Sequence, residues 1–233
     1  HATASQTYLW ADAMYGTKGV TVDAANEAVA LNSPLNMPTE WTIIGWVKTP
    51  IYGTMDNALI HSSDNHEHAI CIHTGTGNAE VGNVSPTTDP GGSWERGTGY
   101  YLHKQVKNGW HQIAAVGTGG NGTAGTTKYY IDGQYIGEAV LSGDGSKYKA
   151  YTPIGALGNN TGAGAHAIGT TIDEISVYDK PLTATQIRQY YGARLKYARA
   201  NDASGLKFGI DAGDQVVLRF DGETSVTSPI DAT

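Results

Sequence analysis

Cysteine and long apolar runs are nearly absent from this chain. Cys71 is the single cysteine among 233 residues, so an internal disulfide is excluded, and its place in the apolar run Ala69 to Ile72 predicts a small buried hydrophobic residue. No apolar run approaches the ~20 residues that a helix needs to cross a bilayer. We therefore expect neither a disulfide framework nor membrane insertion.

Charged residues are also scarce, and basic residues are the scarcer kind. Charged residues make up 16% of the chain, with 15 Lys and Arg against 22 Asp and Glu, which gives a formal net charge of -7. Because the basic residues are scattered along the sequence, they predict no basic surface that could neutralise phosphates. Nucleic acid is therefore disfavoured as a partner.

Glycine, with 31 residues, and short runs rich in Val, Ile, Thr and Tyr dominate instead. This composition is typical of many short strands joined by turns, and the length fits one large all-β domain. Helical periodicity occurs once, at about 183–195, where Thr183 and Gln186 form a capping box. The sequence thus predicts an all-β protein with one short helix in its C-terminal half.

The strongest local signal is a β-hairpin. Asp132-Gly133 supplies the two residues of positive φ that a type I′ turn needs, and short apolar runs flank it on both sides. We assign Asp132 to this turn and to no chemistry. Before the hairpin, Val20 to Val22 and Ala28 to Leu31 are predicted to pair as short strands, and the segments 57–62, 68–73 and 79–84 to form a meander.

Three stretches of the chain carry motifs in a fixed order. Asn26 to Lys48 ends in WTIIGWVK, Asn108 to Gly137 contains NGWHQIAAV and YYIDGQYIG, and Gly169 to Gln186 reads GTTIDEISVYDKPLTATQ. In combination they resemble the laminin-G-like, concanavalin A-like lectin-glucanase jelly-roll family, over roughly Val20 to Tyr191. The resemblance implies a jelly-roll sandwich of two antiparallel sheets, one of them often curved, that binds glycans or proteins and in several members carries calcium.

The same patterns divide the chain into three segments. Residues 1–19 are predicted to be an N-terminal arm, 20–195 the laminin-G-like sandwich, and 196–233 a C-terminal strand segment. Within the last segment, Val216 to Ser228 resembles the opening strand of laminin-G-like domains, although here it follows the final helix. This strand has three candidate places: the edge of its own sandwich, the start of a following domain, or the sheet of a neighbouring subunit.

The acidic residues do not predict a glycosidase. Hydrolases of this fold resemble one another in a Glu-x-Asp-x-Glu or Glu-x-Asp-x-x-Glu strand, whose carboxylates act about 5 Å apart. No such strand is present, and alternation places Asp173 and Glu174 on opposite faces of theirs. The sequence therefore predicts no enzyme of this kind.

Asp173 is nevertheless a candidate metal ligand. By alternation it shares a face with Ile175 and Val177 and points toward the core, where a carboxylate is costly unless it is hydrogen-bonded, paired or bound to a metal. Two alternatives stay open. Asp173 accepts backbone N–H groups from an adjoining loop, or it binds Ca²⁺ together with loop oxygens.

The histidines suggest an alternative function, that of a metal-dependent enzyme. His61, His66, His68 and His73 fall within thirteen residues, and the spacing of the middle two is compatible with a transition metal. His1 resembles the copper-binding end of lytic polysaccharide monooxygenases, although the motifs that surround it in that family are absent here. The least favoured alternative is thus a copper-dependent polysaccharide oxygenase, which an assay with copper and a reductant would reveal.

Aromatic usage fits a glycan-binding surface. Fourteen Tyr and five Trp against two Phe favour rings with a polar atom, which stack on sugars and form hydrogen bonds outward. Five of these rings fall in or beside predicted loops and are the candidate ligand-binding residues: Trp94, Tyr100, Tyr101, Tyr148 and Tyr151.

Several features predict an extracellular or cell-surface location. The chain begins at His1 without a methionine, which we interpret as a mature end after export. Asn83, Asn121 and Asn159 stand in glycosylation sequons in predicted loops. We therefore predict a non-catalytic extracellular module, active in adhesion, that binds a glycan or glycoprotein. The alternative is a structural subunit that self-assembles into a filament or coat through its C-terminal strand.

Overall fold

Most of the described residues are extended, as the composition predicts. The structure, a computed structural model, describes residues 2–4, 9–11, 14, 19–22, 28–35, 38–52, 56–62, 68–74, 77–84, 95–120, 123–141, 154–158, 170–200 and 215–218. The strands are β1 Ala2–Ala4, β2 Leu9–Ala11, β3 Gly19–Val22, β4 Ala28–Leu35, β5 Glu40–Thr49, β6 Asp56–Ser62, β7 His68–His73, β8 Glu80–Val84, β9 Glu95–Tyr101, β10 Gly109–Gly120, β11 Thr123–Ile131, β12 Gln134–Leu141, β13 Ile154–Gly158, β14 Thr170–Tyr178 and β15 Gln215–Leu218. The helices are α1 Leu102–Gln105 and α2 Ala184–Ala200.

The strands form two antiparallel sheets. Sheet A has the order β1-β4-β13-β6-β7-β8-β9, and sheet B the order β12-β11-β10-β5-β14-β3-β2, with β15 paired to β14. The predicted meander is confirmed, because β6, β7 and β8 are consecutive neighbours in sheet A. The two-sheet architecture confirms the predicted all-β jelly-roll sandwich.

The core lies between the sheets and follows strand alternation. On β5, Trp41, Ile43 and Val47 point into the sandwich, where they pack with residues of both sheets such as Ile72 and Ile113. Gly117 of β10 lies opposite Trp41 in the sheet, and a Cβ there would be 2.1 Å from the indole Cε2 and Cζ2 atoms. The fully buried Trp41 ring therefore occupies the space that a side chain at Gly117 would need.

Helix α2 covers part of the outer face of sheet B. Ile187 and Tyr190 of the helix pack on Ile44, Ala114 and other outward-facing residues of that sheet. The predicted capping box is confirmed: Thr183 N–H donates to Gln186 Oε1 at 2.8 Å, and Gln186 N–H donates to Thr183 Oγ1 at 3.2 Å. The helix extends to Ala200, five residues beyond the predicted end.

The predicted hairpin is confirmed, and its second strand forms one edge of sheet B. Asp132 (φ 51°) and Gly133 (φ 74°) join β11 to β12, as an Asp-Gly type I′ turn requires. A Cβ at Gly133 would be 3.1 Å from the Arg188 Cα of α2, so the turn also lies close to the helix.

The N-terminal strands depart from their predicted places, whereas the C-terminal strand lies in the first of its three candidate places, its own sandwich. β3 and β4, predicted to pair, lie in different sheets: β3 pairs with β14 and β4 with β13. The predicted arm at 1–19 contributes β1, which pairs with β4, and β2, which pairs with β3, so these residues belong to the sheets. In the C-terminal segment, β15 pairs with β14 of the same chain over Ile175 to Tyr178.

Candidate functional site

An exposed tyrosine marks one end of the sandwich. Tyr52 follows β5 and is 79% exposed, whereas the preceding Ile51 is 1% exposed. Ile51 N–H donates to His103 Nε2 at 3.1 Å, so the backbone that carries the Tyr52 ring is held in place. A ring presented to water from an anchored backbone is a feature of ligand-binding surfaces.

His103 joins three segments at this end. Its Nε2 accepts the Ile51 N–H, and its Nδ1 lies 3.2 Å from the Gly77 carbonyl oxygen, so the ring carries its proton on Nδ1 and donates it to that oxygen. The neighbouring Leu102 is fully buried and donates its N–H to Ala79 O at 2.9 Å. α1 is therefore fixed to the loop after β5 and to the turn before β8.

Tyr101, a predicted ligand-binding residue, lies at this same end. Its ring is half-buried, and Lys104 Nζ is 5.0 Å from the ring centroid, within the range of a cation–π contact. Beside it on sheet A, the Glu80 carboxylate accepts the Gly99 N–H at 2.8 Å. We call the surface formed by Tyr52, Tyr101, His103 and Lys104 the tyrosine end.

Tyr100, another predicted ligand-binding residue, is not part of this surface. Tyr100 packs against the core between the sheets, and burial together with the negative charge of Asp132 raises the pKa of its hydroxyl. Trp94, Tyr148 and Tyr151 lie outside the described residues. Tyr52 was missed because a single tyrosine between Pro50 and Gly53 shows no periodicity, although that turn-forming context is itself a sign of exposure.

Asp132 does more than form the hairpin turn. His111 Nδ1 is 2.7 Å from Asp132 Oδ2, His111 Nε2 is 2.7 Å from Lys107 O, and Gln112 N–H donates to Asp132 Oδ1 at 3.0 Å. Because both ring nitrogens face acceptors, the arrangement favours the doubly protonated imidazolium. Burial lowers the pKa of His111, but its hydrogen bonds to Asp132 and Lys107 and the Asp132 charge outweigh burial and raise it above 6.5.

This pair predicts a pH-dependent contribution to stability. The folded pKa of His111 lies above the unfolded value, so its stabilisation is complete below about pH 6.5 and is lost as the pH rises through the folded pKa. We expect His111→Gln to cost roughly 1 kcal/mol at pH 6 and progressively less at higher pH. Urea denaturation of both proteins from pH 5.5 to 9 measures the difference. A difference that is constant over this range would contradict the prediction.

A β-bulge changes the predicted orientation of Asp173. Glu174 has φ 48°, and the pairing of β14 with β5 shifts register between Asp173 and Ser176. Ile172, Ile175 and Val177 therefore all join the core, whereas Asp173 pairs with Trp46, which stacks on Tyr191 of α2. The prediction that Asp173 shares a face with Ile175 and Val177 is wrong, because the extra residue of the bulge breaks the alternation.

The carboxylate of Asp173 accepts backbone N–H groups. It is buried, with Oδ2 3.0 Å from Met14 N and Oδ1 2.8 Å from Glu174 N, which is the hydrogen-bonded alternative offered by the sequence. In the described part of the chain, no group of three or more His, Cys, Asp or Glu residues could hold a metal ion. Calcium at Asp173 stays a proposal, and a melting temperature indifferent to chelator and to excess Ca²⁺ would contradict it.

Only some of the remaining predicted residues lie in the described part of the chain. His1, His66, Asn121 and Asn159 lie outside the described residues, so the copper and glycosylation hypotheses stay predictions. Asn83 lies in β8, as the predicted strand at 79–84 requires and not in a loop as its sequon suggested, and it pairs with Arg96 of β9. Cys71 is buried, as the sequence predicts. No helix among the described residues is long and apolar enough to cross a membrane.

A family model matches most of the chain. The model describes the concanavalin A-like lectin/glucanases superfamily (Laminin_G_3), and the match covers residues 23–188. It includes β5, the hairpin, β14 and the tyrosine end. No curated protein sequence matches the chain.

Solved structures share the fold at low sequence identity. Domain 4 of AbnA, an extracellular GH43 arabinanase from Geobacillus stearothermophilus solved with arabinotriose, is 20% identical (TM-score 0.57), and the match covers 79% of this chain and 81% of that domain. Tailspike protein 2 of bacteriophage CBA120 is 14% identical (TM-score 0.56; 82% of this chain, 30% of the other). A Bacteroides ovatus protein assigned to carbohydrate binding is 13% identical (TM-score 0.52; 95% of this chain, 51% of the other). The chain thus spans about a third of the length of the tailspike protein and about half of the length of the Bacteroides ovatus protein.

Proposed function

Because the chain belongs to the concanavalin A-like lectin/glucanase superfamily, we propose that it is a non-catalytic, extracellular carbohydrate-binding module whose glycan binds at the tyrosine end. The AbnA domain, solved with arabinotriose, and the Bacteroides ovatus protein support a saccharide as the ligand. These two proteins support the proposal only through the fold that they share with this chain, since their sequence identity to it is low. The choice of surface depends on the geometry of this chain.

The observation that carries the proposal is the exposed ring of Tyr52 on an anchored backbone. Sugars bind aromatic rings through their C–H faces, and a ring that does not have to be ordered on binding contributes more to the affinity. Tyr52 is 79% exposed, and the buried Ile51 and its hydrogen bond to His103 restrain the loop that carries it. Tyr101, two residues before His103, supplies a second ring at the same end.

The acidic groups of the site support binding without cleavage. Glu80, the acidic residue next to Tyr101, already accepts the Gly99 N–H, and the carboxylates of Asp173 and Glu174 are buried. A retaining or inverting glycosidase needs two carboxylates on either side of an open cleft. The described residues of the tyrosine end offer no such pair. Release of reducing ends by the purified protein would overturn this part of the proposal.

Substitution of Tyr52 tests the proposal. We expect Tyr52→Ala to weaken binding about tenfold, because it removes one stacking surface, and Tyr52→Phe to bind within about twofold of the wild type, because the ring remains. Isothermal titration calorimetry against a panel of soluble polysaccharides that includes arabinan measures both. Tyr135→Ala is the matched control, since Tyr135 is also exposed, at 54%, but lies on β12. Equal losses for Tyr52→Ala and Tyr135→Ala, or no binding to any polysaccharide, would contradict the proposed site.

Self-assembly is the second candidate function, and it would involve the edge of β14 that β15 occupies. β3 and β15 pair with successive parts of the same edge of β14, β3 with Thr170 to Ile172 and β15 with Ile175 to Tyr178. β15 is four residues long and follows α2 in the chain, so an equivalent strand of a second copy could occupy the same position on β14. A full-length protein that stays monomeric in light scattering at high concentration would contradict this candidate.

A further inference from the structure

The tyrosine end includes part of a segment that carries basic residues and no acidic ones, in a chain that is acidic as a whole. Between Tyr101 and Asp132 the sequence contains no acidic residue, and its first eleven residues, YLHKQVKNGWH, contain two lysines and two histidines. Lys104 and Lys107 are both exposed. A local excess of positive charge on a chain with a net charge of -7 therefore adjoins the proposed binding surface.

The carboxylates of Asp132 and Glu80 have other partners than these two lysines. Asp132 is bound by His111 at 2.7 Å, and Glu80 accepts the Gly99 N–H. Within the described residues, neither Lys104 nor Lys107 forms an ion pair with a carboxylate. The ammonium of Lys104 instead lies over the Tyr101 ring, 5.0 Å from its centroid. Lys104 follows His103, which accepts the Ile51 N–H, and the Lys107 carbonyl oxygen accepts the Thr49 hydroxyl, so both lysines belong to the segment that contacts the chain just before Tyr52.

We propose that the glycan bound at the tyrosine end is anionic, a saccharide that carries carboxylate or sulfate groups which Lys104 and Lys107 bind. This inference depends on the proposed function, since it specifies the ligand of the same site. Tyr52 contacts the sugar ring, and the lysines bind its acidic substituents. The Tyr101 ring restrains the Lys104 side chain before the ligand arrives, which reduces the rotamer entropy lost on binding.

Electrostatics gives this arrangement a measurable signature. Contacts between exposed lysines and an anionic ligand are screened by salt, with a Debye length of about 10 Å at 0.1 M and about 3 Å at 1 M. Stacking on Tyr52 is far less sensitive to salt. Binding of an acidic glycan is therefore expected to weaken about tenfold between 0.05 M and 0.5 M NaCl, and binding of its neutral counterpart to change less than twofold.

Matched polymers separate charge from sugar recognition. Polygalacturonate and its methyl ester have the same backbone with and without carboxylates, and dextran sulfate and dextran do the same for sulfate. Titration of the full chain with these four polymers should show that an acidic polymer binds at least about tenfold more tightly than its neutral form. Tighter binding of polygalacturonate than of its methyl ester identifies a uronate-type ligand. Tighter binding of dextran sulfate than of dextran identifies a sulfated ligand.

Variants of the two lysines test whether the preference for acidic polymers arises at the tyrosine end. Lys104→Met keeps an apolar stem over Tyr101 but removes the charge, and together with Lys107→Met it should reduce the acidic-to-neutral preference to within about twofold. Lys128→Met is the matched control, because Lys128 is also exposed but lies on β11; it should keep the preference. A preference equally reduced by Lys128→Met indicates net charge alone and overturns the proposal.

The outcomes distinguish this inference from the proposed function. Equal binding of acidic and neutral polymers, with both weakened by Tyr52→Ala, would overturn the anionic ligand and leave the glycan-binding site standing. Binding of no polymer would overturn both. An acidic preference that Lys104→Met and Lys107→Met remove and Tyr52→Ala weakens further would support both.

Discussion

Gly117→Ala is expected to destabilise the protein by roughly 3 kcal/mol, because its new methyl group has no space. The Cβ would lie 2.1 Å from two carbon atoms of the Trp41 indole, and that ring is 1% exposed and enclosed by the core between the sheets. A rigid bicyclic side chain cannot avoid the clash by rotating one terminal atom. Either the Trp41 ring or β10 must therefore shift, and both displacements disrupt close packing. Chemical denaturation followed by tryptophan fluorescence measures the loss.

Two other glycines provide matched controls for this substitution. At Gly45, a Cβ would approach Ile175 Cδ1, the end of a flexible side chain, so Gly45→Ala should cost less than Gly117→Ala. At Gly192 of α2, nothing lies within 4 Å, and Gly192→Ala should stabilise the helix by about 0.5–1 kcal/mol. Trp41→Leu in the Gly117→Ala background should recover part of the loss. Equal effects at Gly117 and Gly192 would refute the steric explanation.

Deleting Leu206–Thr233 is expected to lower the stability of the monomer by roughly 3 kcal/mol, which corresponds to about 6–12 °C in Tm for a chain of this size. β15 pairs with β14 at Ile175, Ser176, Val177 and Tyr178, so its loss leaves backbone groups of a central, buried strand without their partners. Thermal unfolding by circular dichroism and mass by light scattering, each at several concentrations, measure the two consequences.

The same deletion separates self-pairing from strand exchange. If the full chain is a monomer and the deletion lowers its Tm, β15 completes its own sheet. If the full chain is a larger species and the deletion produces a folded monomer, the strand is donated to a neighbouring copy. Deleting only Ser225–Thr233 keeps β15 and is the matched control. A deletion of Leu206–Thr233 that changes neither Tm nor mass would contradict a structural role for β15 in either form.

The correct predictions concern features encoded by neighbouring residues. Asp132-Gly133 produces its turn because both residues adopt positive φ, and Thr183 with Gln186 caps α2 three residues apart. Neither the turn nor the helix cap needs residues from distant parts of the chain to form. The combination of the WHQIA, YIDG and IDEI motifs identified the family for a similar reason, since each motif is a short strand or turn with its own local chemistry.

The incorrect predictions concern residues whose neighbours come from distant parts of the chain. The bulge at Glu174 turns Asp173 away from the core, and no residue next to it in the sequence signals the extra residue. β3 and β4 are adjacent in sequence but lie in opposite sheets, because β14 and β13 provide their partners. Tyr52 belongs to the candidate site only because His103, fifty-two positions after Ile51, accepts the Ile51 N–H.

By itself, the sequence determined the all-β class, the hairpin at Asp132, the capped helix after Lys180 and the membership of a lectin-like family, because these depend on local backbone preference and on the order of short motifs. Only the tertiary structure decided which tyrosine is presented to solvent, which face Asp173 occupies and that the Glu80 carboxylate opposite Tyr101 already accepts a hydrogen bond. The physical reason is that exposure, strand register and charge pairing depend on which strands become neighbours. In an antiparallel sandwich those neighbours come from distant positions in the chain.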